Sequence, residues 1–341
     1  MRYERHPSNS VHLLGRKAVV ALGFVSCILL SQVAHGGEWL FQVIDPLEET
    51  CCHHGEHTSL CLDMNGLPHI VYRGDRRQAR LYYAYQIGTG QWHWGEQVDT
   101  FSGSWPSLTL DSGNVPHISY YYNYDELKYA YRDETGWHSE IVDPYPGPPY
   151  SVGLYSALSL DGDAHPHILY YSDAERQEVR YARHDGTEWE IEVVDTVGVS
   201  EGPMSLAVDP LGVVHATYAG RYRYRDALGW HGIEYPDCGG RSGNSLALDS
   251  AGYPHMTGMT SSELRYSFKD ELGWHMEVVA SGTELWYPTL ALDGDDNPHI
   301  SYGDASTGSV MYAYKDASGW HVAAIETSGD AGRFTSLAAC V

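Results

Sequence analysis

Six histidines recur along the chain, His69, His117, His167, His215, His255 and His299, at intervals of 48, 50, 48, 40 and 44 residues, and five of them directly follow proline. A second series follows tryptophan: His93, His138, His231, His275 and His321. Imidazole can ligate a metal or move a proton near neutral pH, so what matters is whether these side chains meet. A different chemistry is written in CCHHGEH, residues 51–57, with Cys61 just beyond. There Cys51, Cys52, His53 and His54 gather soft sulfur and imidazole at the short spacing of a zinc or copper set, whereas an oxidising compartment favours a disulfide. Asp293, Asp295 and Asn297 alternate oxygen donors as a calcium loop does, without the closing bidentate acid. Calcium at one set and zinc or copper at the other are thus the candidate metals, and no other cofactor is indicated. Arg73, Arg76, Arg77 and Arg80 offer guanidinium forks suited to a carboxylate.

The elements that must position these groups are read from the repeat. Before each histidine stands Ser-Leu-x-Leu-Asp or a close variant, ending at Asp63, Asp111, Asp161, Asp209, Asp249 and Asp293. After it come His-Ile-x-Tyr, then Leu-x-Tyr-Ala, then a turn into Trp92, Trp137, Trp189, Trp230, Trp274 or Trp320. Each segment is short, rich in Tyr, Val, Ile and Leu, and bounded by Asp, Gly or Pro, which specifies strands rather than helices. Four such strands per unit of about 46 residues describe a propeller blade. The expectation is all-β: a β-propeller of six complete four-stranded blades, at about 57–99, 105–143, 154–195, 203–235, 243–280 and 286–327, plus strands of a partial seventh. Residues 38–45 match a fourth strand and 334–341 a first, two halves of a split seventh blade within a propeller spanning 37–341; either they pair to close the ring or the chain is a truncated form of a longer one.

The turns YRDETGW (131–137), YRDALGW (224–230), FKDELGW (268–274) and YKDASGW (314–320) resemble a degenerate Asp-box, with Gly moved next to Trp. On them the chain resembles secreted bacterial β-propeller repeat proteins of the sialidase-like kind. The resemblance implies the fold. The three arginines and the Tyr–Glu pair of a sialidase map onto no positions here, so it does not imply hydrolysis.

Blade geometry then separates constant from variable parts. The first-to-second and third-to-fourth turns emerge on one face of the disc, where Asp and His stand six residues apart in every unit and Gly66, Asn114, Gly212, Gly252 and Asp296 permit a left-handed backbone. The six histidines lie on second strands of six blades, spread around the ring, which points to a strut within each blade, not to one metal site. Loops on the opposite face vary, and binding residues concentrate on such loops. Three residues before each first-strand Leu, where strands near the axis converge, stand His57, Trp105, Tyr155, Pro203, Gly243 and Tyr287, with Phe334 at the matching position of the split blade. Aromatic rings rimming a channel suit the apolar faces of sugars. The candidate ligand-binding set is therefore His57, Trp105, Tyr155, Tyr287 and Phe334, joined by Arg73, Arg76 and Arg77 of the second-to-third loop of blade 1.

Residues 1–36 have the form of an export leader: Arg16-Lys17, an apolar run over 18–30, and Ala34-His35-Gly36 as a cleavage site. The run is short for a membrane span and no second candidate follows it. Loss of the leader takes 21 basic and 45 acidic residues to 17 and 44, a formal charge of −27, which argues against nucleic acid as a partner. The combined expectation is a secreted or periplasmic, non-enzymatic propeller binding a glycan or an extracellular protein through the variable-loop face. A polysaccharide lyase or glycosidase using His57 with Tyr155 or Tyr287, or Asp125 with Glu126, is the enzymatic alternative, and a purely structural scaffold is the third reading.

Overall fold

β-Branched and aromatic runs punctuated by Asp-Gly and Asp-Asn turns leave no room for helices, and the computed structural model contains none among its described residues. It describes residues 18–23, 28–33, 39–43, 56–74, 80–88, 90–122, 126–144, 147, 151–173, 177–196, 202–240, 243–282, 284–326 and 335–339. Six complete four-stranded antiparallel blades form the propeller. Blade 3 is representative: Val152–Leu160 innermost, then Pro166–Ser172, Glu178–His184 and Trp189–Thr196. Blades 5 and 6 begin at Ser245–Leu248 and Leu285–Leu292, and blade 4, from Ser205–Val208, ends in a fourth strand of two residues, Gly229–Trp230.

Blades 1 and 2 are joined in a way the sequence does not announce. A single strand, Gln91–Leu110, is the outermost strand of blade 1 as far as Ser102, which pairs Arg80. From Gly103, which pairs Tyr122, it is the innermost strand of blade 2. No loop intervenes between these two blades.

At the seventh position around the axis stands Thr335–Ala339, between blades 6 and 1, with Ala18–Gly23, Ile28–Val33 and Trp39–Val43 hydrogen-bonded outward in that order. The two terminal segments thus share one sheet, as first and fourth strands, and the apolar run read as a leader supplies the two strands between them. Thr335–Ala339 is bound into the ring by side chains as well. Ser336 Oγ accepts from Leu60 N at 3.0 Å, as Ser59 does from Leu108, Ser107 from Leu158 and Ser245 from Leu290.

Hydrophobic clusters lie between blades. Val71, Leu81, Tyr83 and Val98 of blade 1 pack with Leu108, Ile118, Tyr120 and Ala130 of blade 2, and equivalent clusters join 2 to 3, 3 to 4, 4 to 5 and 5 to 6. Second strands are covered on both faces, so Pro116 to Tyr121 are all buried and polar–apolar alternation disappears.

Each constant turn is built on its Asp. Asp63 Oδ1 accepts from the amides of Asn65 (2.8 Å) and Leu67 (2.7 Å), and the other five aspartates do the same two and four residues on. The residue three after each Asp is left-handed in all six turns, including Ala164 at φ 62°.

The histidines are struts. In all six blades Nδ1 meets the hydroxyl of a third-strand tyrosine, as in His299–Tyr312 at 2.5 Å and His215–Tyr222 at 2.7 Å; His69, His117, His167 and His255 pair with Tyr83, Tyr129, Tyr181 and Tyr266. Nε2 faces the turn Asp, at 3.2 Å in His299–Asp293 and 3.4 Å in His255–Asp249. A carboxylate can only accept, so Nε2 carries the proton and Nδ1 accepts from the phenol. Asp293 is accordingly engaged by Asp295, Asn297 and His299 as a turn acceptor, and no group of three or more metal-ligating side chains gathers among the described residues. Four of the second histidine series, His138, His231, His275 and His321, stack on the preceding aromatic and meet their turn Asp, as in Tyr224–His231 (4.1 Å between centroids) and His231–Asp226 (2.9 Å), whereas His93 meets Glu96 (3.3 Å).

Candidate functional site

The innermost strands do not run straight to the variable face. In blades 1, 2, 3 and 6 their register slips, between Glu56 and Ser59, Ser104 and Ser107, Leu154 and Ala157, and Trp286 and Thr289, two residues opposing one in each bulge. At each slip an aromatic residue adopts a left-handed backbone: His57 (φ 52°), Trp105 (47°), Tyr155 (56°) and Tyr287 (48°). Blade 5 has Gly243 there (φ 95°), the residue for which that conformation is free of cost. A non-glycine in this region costs of order 1–3 kcal/mol, and strain of this kind clusters at ligand sites.

The bulges aim these side chains at the axis. Together they line a cavity of about 370 Å³ to which all seven first strands contribute. The aromatic side is an arc: His57, Trp105 and Tyr155 of blades 1, 2 and 3, with Tyr287 of blade 6 beyond Thr335 of the seventh position. His57 stacks on Trp105 at 4.8 Å and 25°, and Trp105 meets Tyr155 at 5.0 Å and 49°. Facing the arc are smaller or flexible residues, Pro203, Met204 and Ser205 of blade 4 and Asn244 and Ser245 of blade 5. The His57 imidazole is lowered to about 3, chiefly by burial and then by the nearby Arg73 cation, so it is neutral at ordinary pH and can act as a stacking surface or hydrogen-bond partner but not as a charge.

Of the residues singled out in the sequence, the structure therefore brings His57, Trp105, Tyr155 and Tyr287 to one cavity, with Pro203. Arg73 ends the second strand of blade 1 and acts electrostatically on His57 without lining the cavity. Arg76, Arg77, Phe334, Cys51, Cys52, His53, His54 and Asp125 lie outside the described residues. Cys61 and Cys238 are free thiols, so no disulfide runs through Cys61, and burial first and Asp63 second push the Cys61 thiol far up. Sequence reasoning missed Thr58, Met204, Ser205, Asn244 and Thr335 as lining residues. The same column of the repeat holds them one or two places further on, but a bulge that turns two successive residues toward one space has no composition signal of its own.

The described residues thus define a β-propeller of six complete blades with an open, aromatic-lined cup on its axis. No family model and no curated protein matches the sequence. Solved structures of similar fold include the BP39L lectin from Burkholderia pseudomallei (10% identity, 91% of this chain and 96% of that one, TM-score 0.65). Others are an Aleuria aurantia lectin mutant in complex with Fucα1-6GlcNAc (11%, 80% and 96%, 0.56) and a PL25 ulvan lyase bound to -[GlcA(1-4)Rha3S]- (11%, 96% and 92%, 0.59). At these identities the likeness is one of fold.

Proposed function

We propose that the protein is an exported carbohydrate-binding propeller that holds a glycan in the axial cup of its variable-loop face. The observation that carries this reading is the convergence of four strained aromatic residues from four blades on one open cavity. Were their role only to plug the channel, the axis would be filled and not open as a cavity. Propeller lectins among proteins of similar fold support the reading, and an extracellular protein bearing glycans is the corresponding natural partner. The leader-like first 36 residues support export, and the turns support kinship with the secreted, sialidase-like propellers.

Titration against a panel of oligosaccharides tests it. We expect saturable binding by at least one sugar, weakened about tenfold or more by Tyr287→Ala, with the melting temperature little changed because Tyr287 is only partly buried. Failure of every sugar to bind overturns the proposal. Release of shortened products from a polysaccharide, abolished by His57→Ala, would make the protein an enzyme instead.

A further inference from the structure

Among the described residues no Asp, Glu, Lys or Arg lines the cup, although the chain carries a formal charge of −24. His57 is held neutral by its burial. The cation acting on it, Arg73, is not among the lining residues. A carboxylate or sulfate entering this space would give up hydration without meeting a counter-charge, a transfer that costs several kcal/mol for an unpaired ion. It would also approach through the field of a strongly acidic protein.

The polar groups of the cup are largely engaged within the protein. Asn244 donates from Nδ2 to Gly239 O (2.8 Å) and accepts at Oδ1 from Gly220 N (2.7 Å), Ser245 Oγ accepts from Leu290 N, and Ser156 Oγ donates to Trp105 O (3.2 Å). Thr58 Oγ1, by contrast, is buried without a hydrogen-bond partner among the described residues. What the cup offers a ligand is thus a broad aromatic arc on one side and a few uncharged hydroxyls. That combination fits a sugar ring whose C–H face lies on the arc while isolated hydroxyls make hydrogen bonds.

Resting on the reading of the cup as a glycan site, we infer that it accepts an uncharged sugar residue, its C–H face on His57, Trp105 and Tyr155, and rejects carboxylated and sulfated sugars. The test uses the full chain and two sets of probes: methyl glycosides of neutral hexoses and deoxyhexoses, and glucuronate, galacturonate, N-acetylneuraminate and a sulfated hexose. Binding is followed by calorimetry and by tryptophan fluorescence. We expect a neutral sugar to bind at least tenfold more tightly than any acidic one, with affinity changing less than about twofold between about 20 and 500 mM salt, since no ion pair is there to be screened. Trp105→Ala should weaken it at least tenfold, and Tyr287→Ala provides a second variant should Trp105→Ala fold poorly. Acidic sugars binding as tightly as neutral ones, with affinity lost in salt and on Arg73→Gln, would overturn the neutral-ligand inference and leave the glycan reading standing. Binding by no sugar of either set would overturn both.

Discussion

At the residue scale, one side-chain type does two jobs according to the strand it stands on. On second strands histidine is a strut between a phenol and a turn carboxylate; at a first-strand bulge, as His57, it becomes a wall of the cup. The two share a titration behaviour. Burial lowers the pKa of His57 to about 3 and of His69 to about 4, and likewise lowers His117, His167, His215 and His255. An unfolded histidine takes its proton near pH 6.5, so below that the unfolded chain binds protons that the folded one refuses, and stability present above 6.5 is lost as pH falls toward 4. Each such imidazole contributes a slope of about 1.4 kcal/mol per pH unit within this window. Urea unfolding at pH 7, 5.5 and 4.5 should therefore show a steep fall, and His69→Gln should reduce the slope by about one proton. An unchanged slope in that variant would mean that the His69 strut is protonated in the native state.

At the level of strands and blades, the acids divide into two populations. Asp133 sits in an exposed turn, where Thr135 first and then His138 hold its carboxyl below the usual range. Asp143, at the end of a fourth strand, is buried, and reaches into the next blade to accept from Tyr170 Oη (2.6 Å) and Arg180 Nη1 (2.9 Å). Glu234 likewise takes Lys269 (2.8 Å) and Trp274 Nε1 (2.6 Å), and Glu277 takes Lys315 (2.6 Å) and Trp320 Nε1 (2.8 Å). These clasps tie blade 2 to 3, 4 to 5 and 5 to 6. They were illegible in the sequence because the partners stand 27 to 43 residues apart, in the next blade, with nothing local to signal them. The turns were legible for the opposite reason, since Asp and the left-handed residue three places on form their bonds within five residues. Asp143→Ala leaves the buried Tyr170 phenol without this acceptor and Arg180 with Glu178 alone, and should cost about 2 kcal/mol, whereas an exposed turn substitution such as Asp133→Ala should cost less than about 1 kcal/mol. Urea midpoints of the two variants, measured side by side, check the contrast; equal losses would remove the clasp from the account.

For the whole molecule, ring closure decides whether the cup exists. The repeat made six blades and the kinship of the two termini readable, because strand columns recur with their turn residues intact. It could not show which strand closes the ring, since the apolar stretch 18–33 satisfies an export leader and a pair of inner blade strands equally well. The structure separates the two parts of that question. Thr335–Ala339 stands against the axis: Thr335 lines the cup and accepts from Ser301 (3.1 Å), Ser336 holds Leu60, and Ala338 packs on the cluster of Leu60, Ile70, Tyr72 and Ala84. Ala18–Gly23 and Ile28–Val33 lie outside it, joined to it by a backbone ladder. Removal of the innermost strand opens the ring between blades 6 and 1 and removes one wall of the cup; removal of the outer ones leaves both in place. A chain ending at residue 326 should therefore lose sugar binding and melt well below the full chain, whereas a chain beginning at residue 37 should keep its binding within about threefold and most of its stability. The two truncations, compared by melting and by titration with the same sugar, read directly on closure. If the chain from residue 37 unfolds, the stretch 18–33 is a structural part of the seventh blade, and its role as a cleaved leader falls.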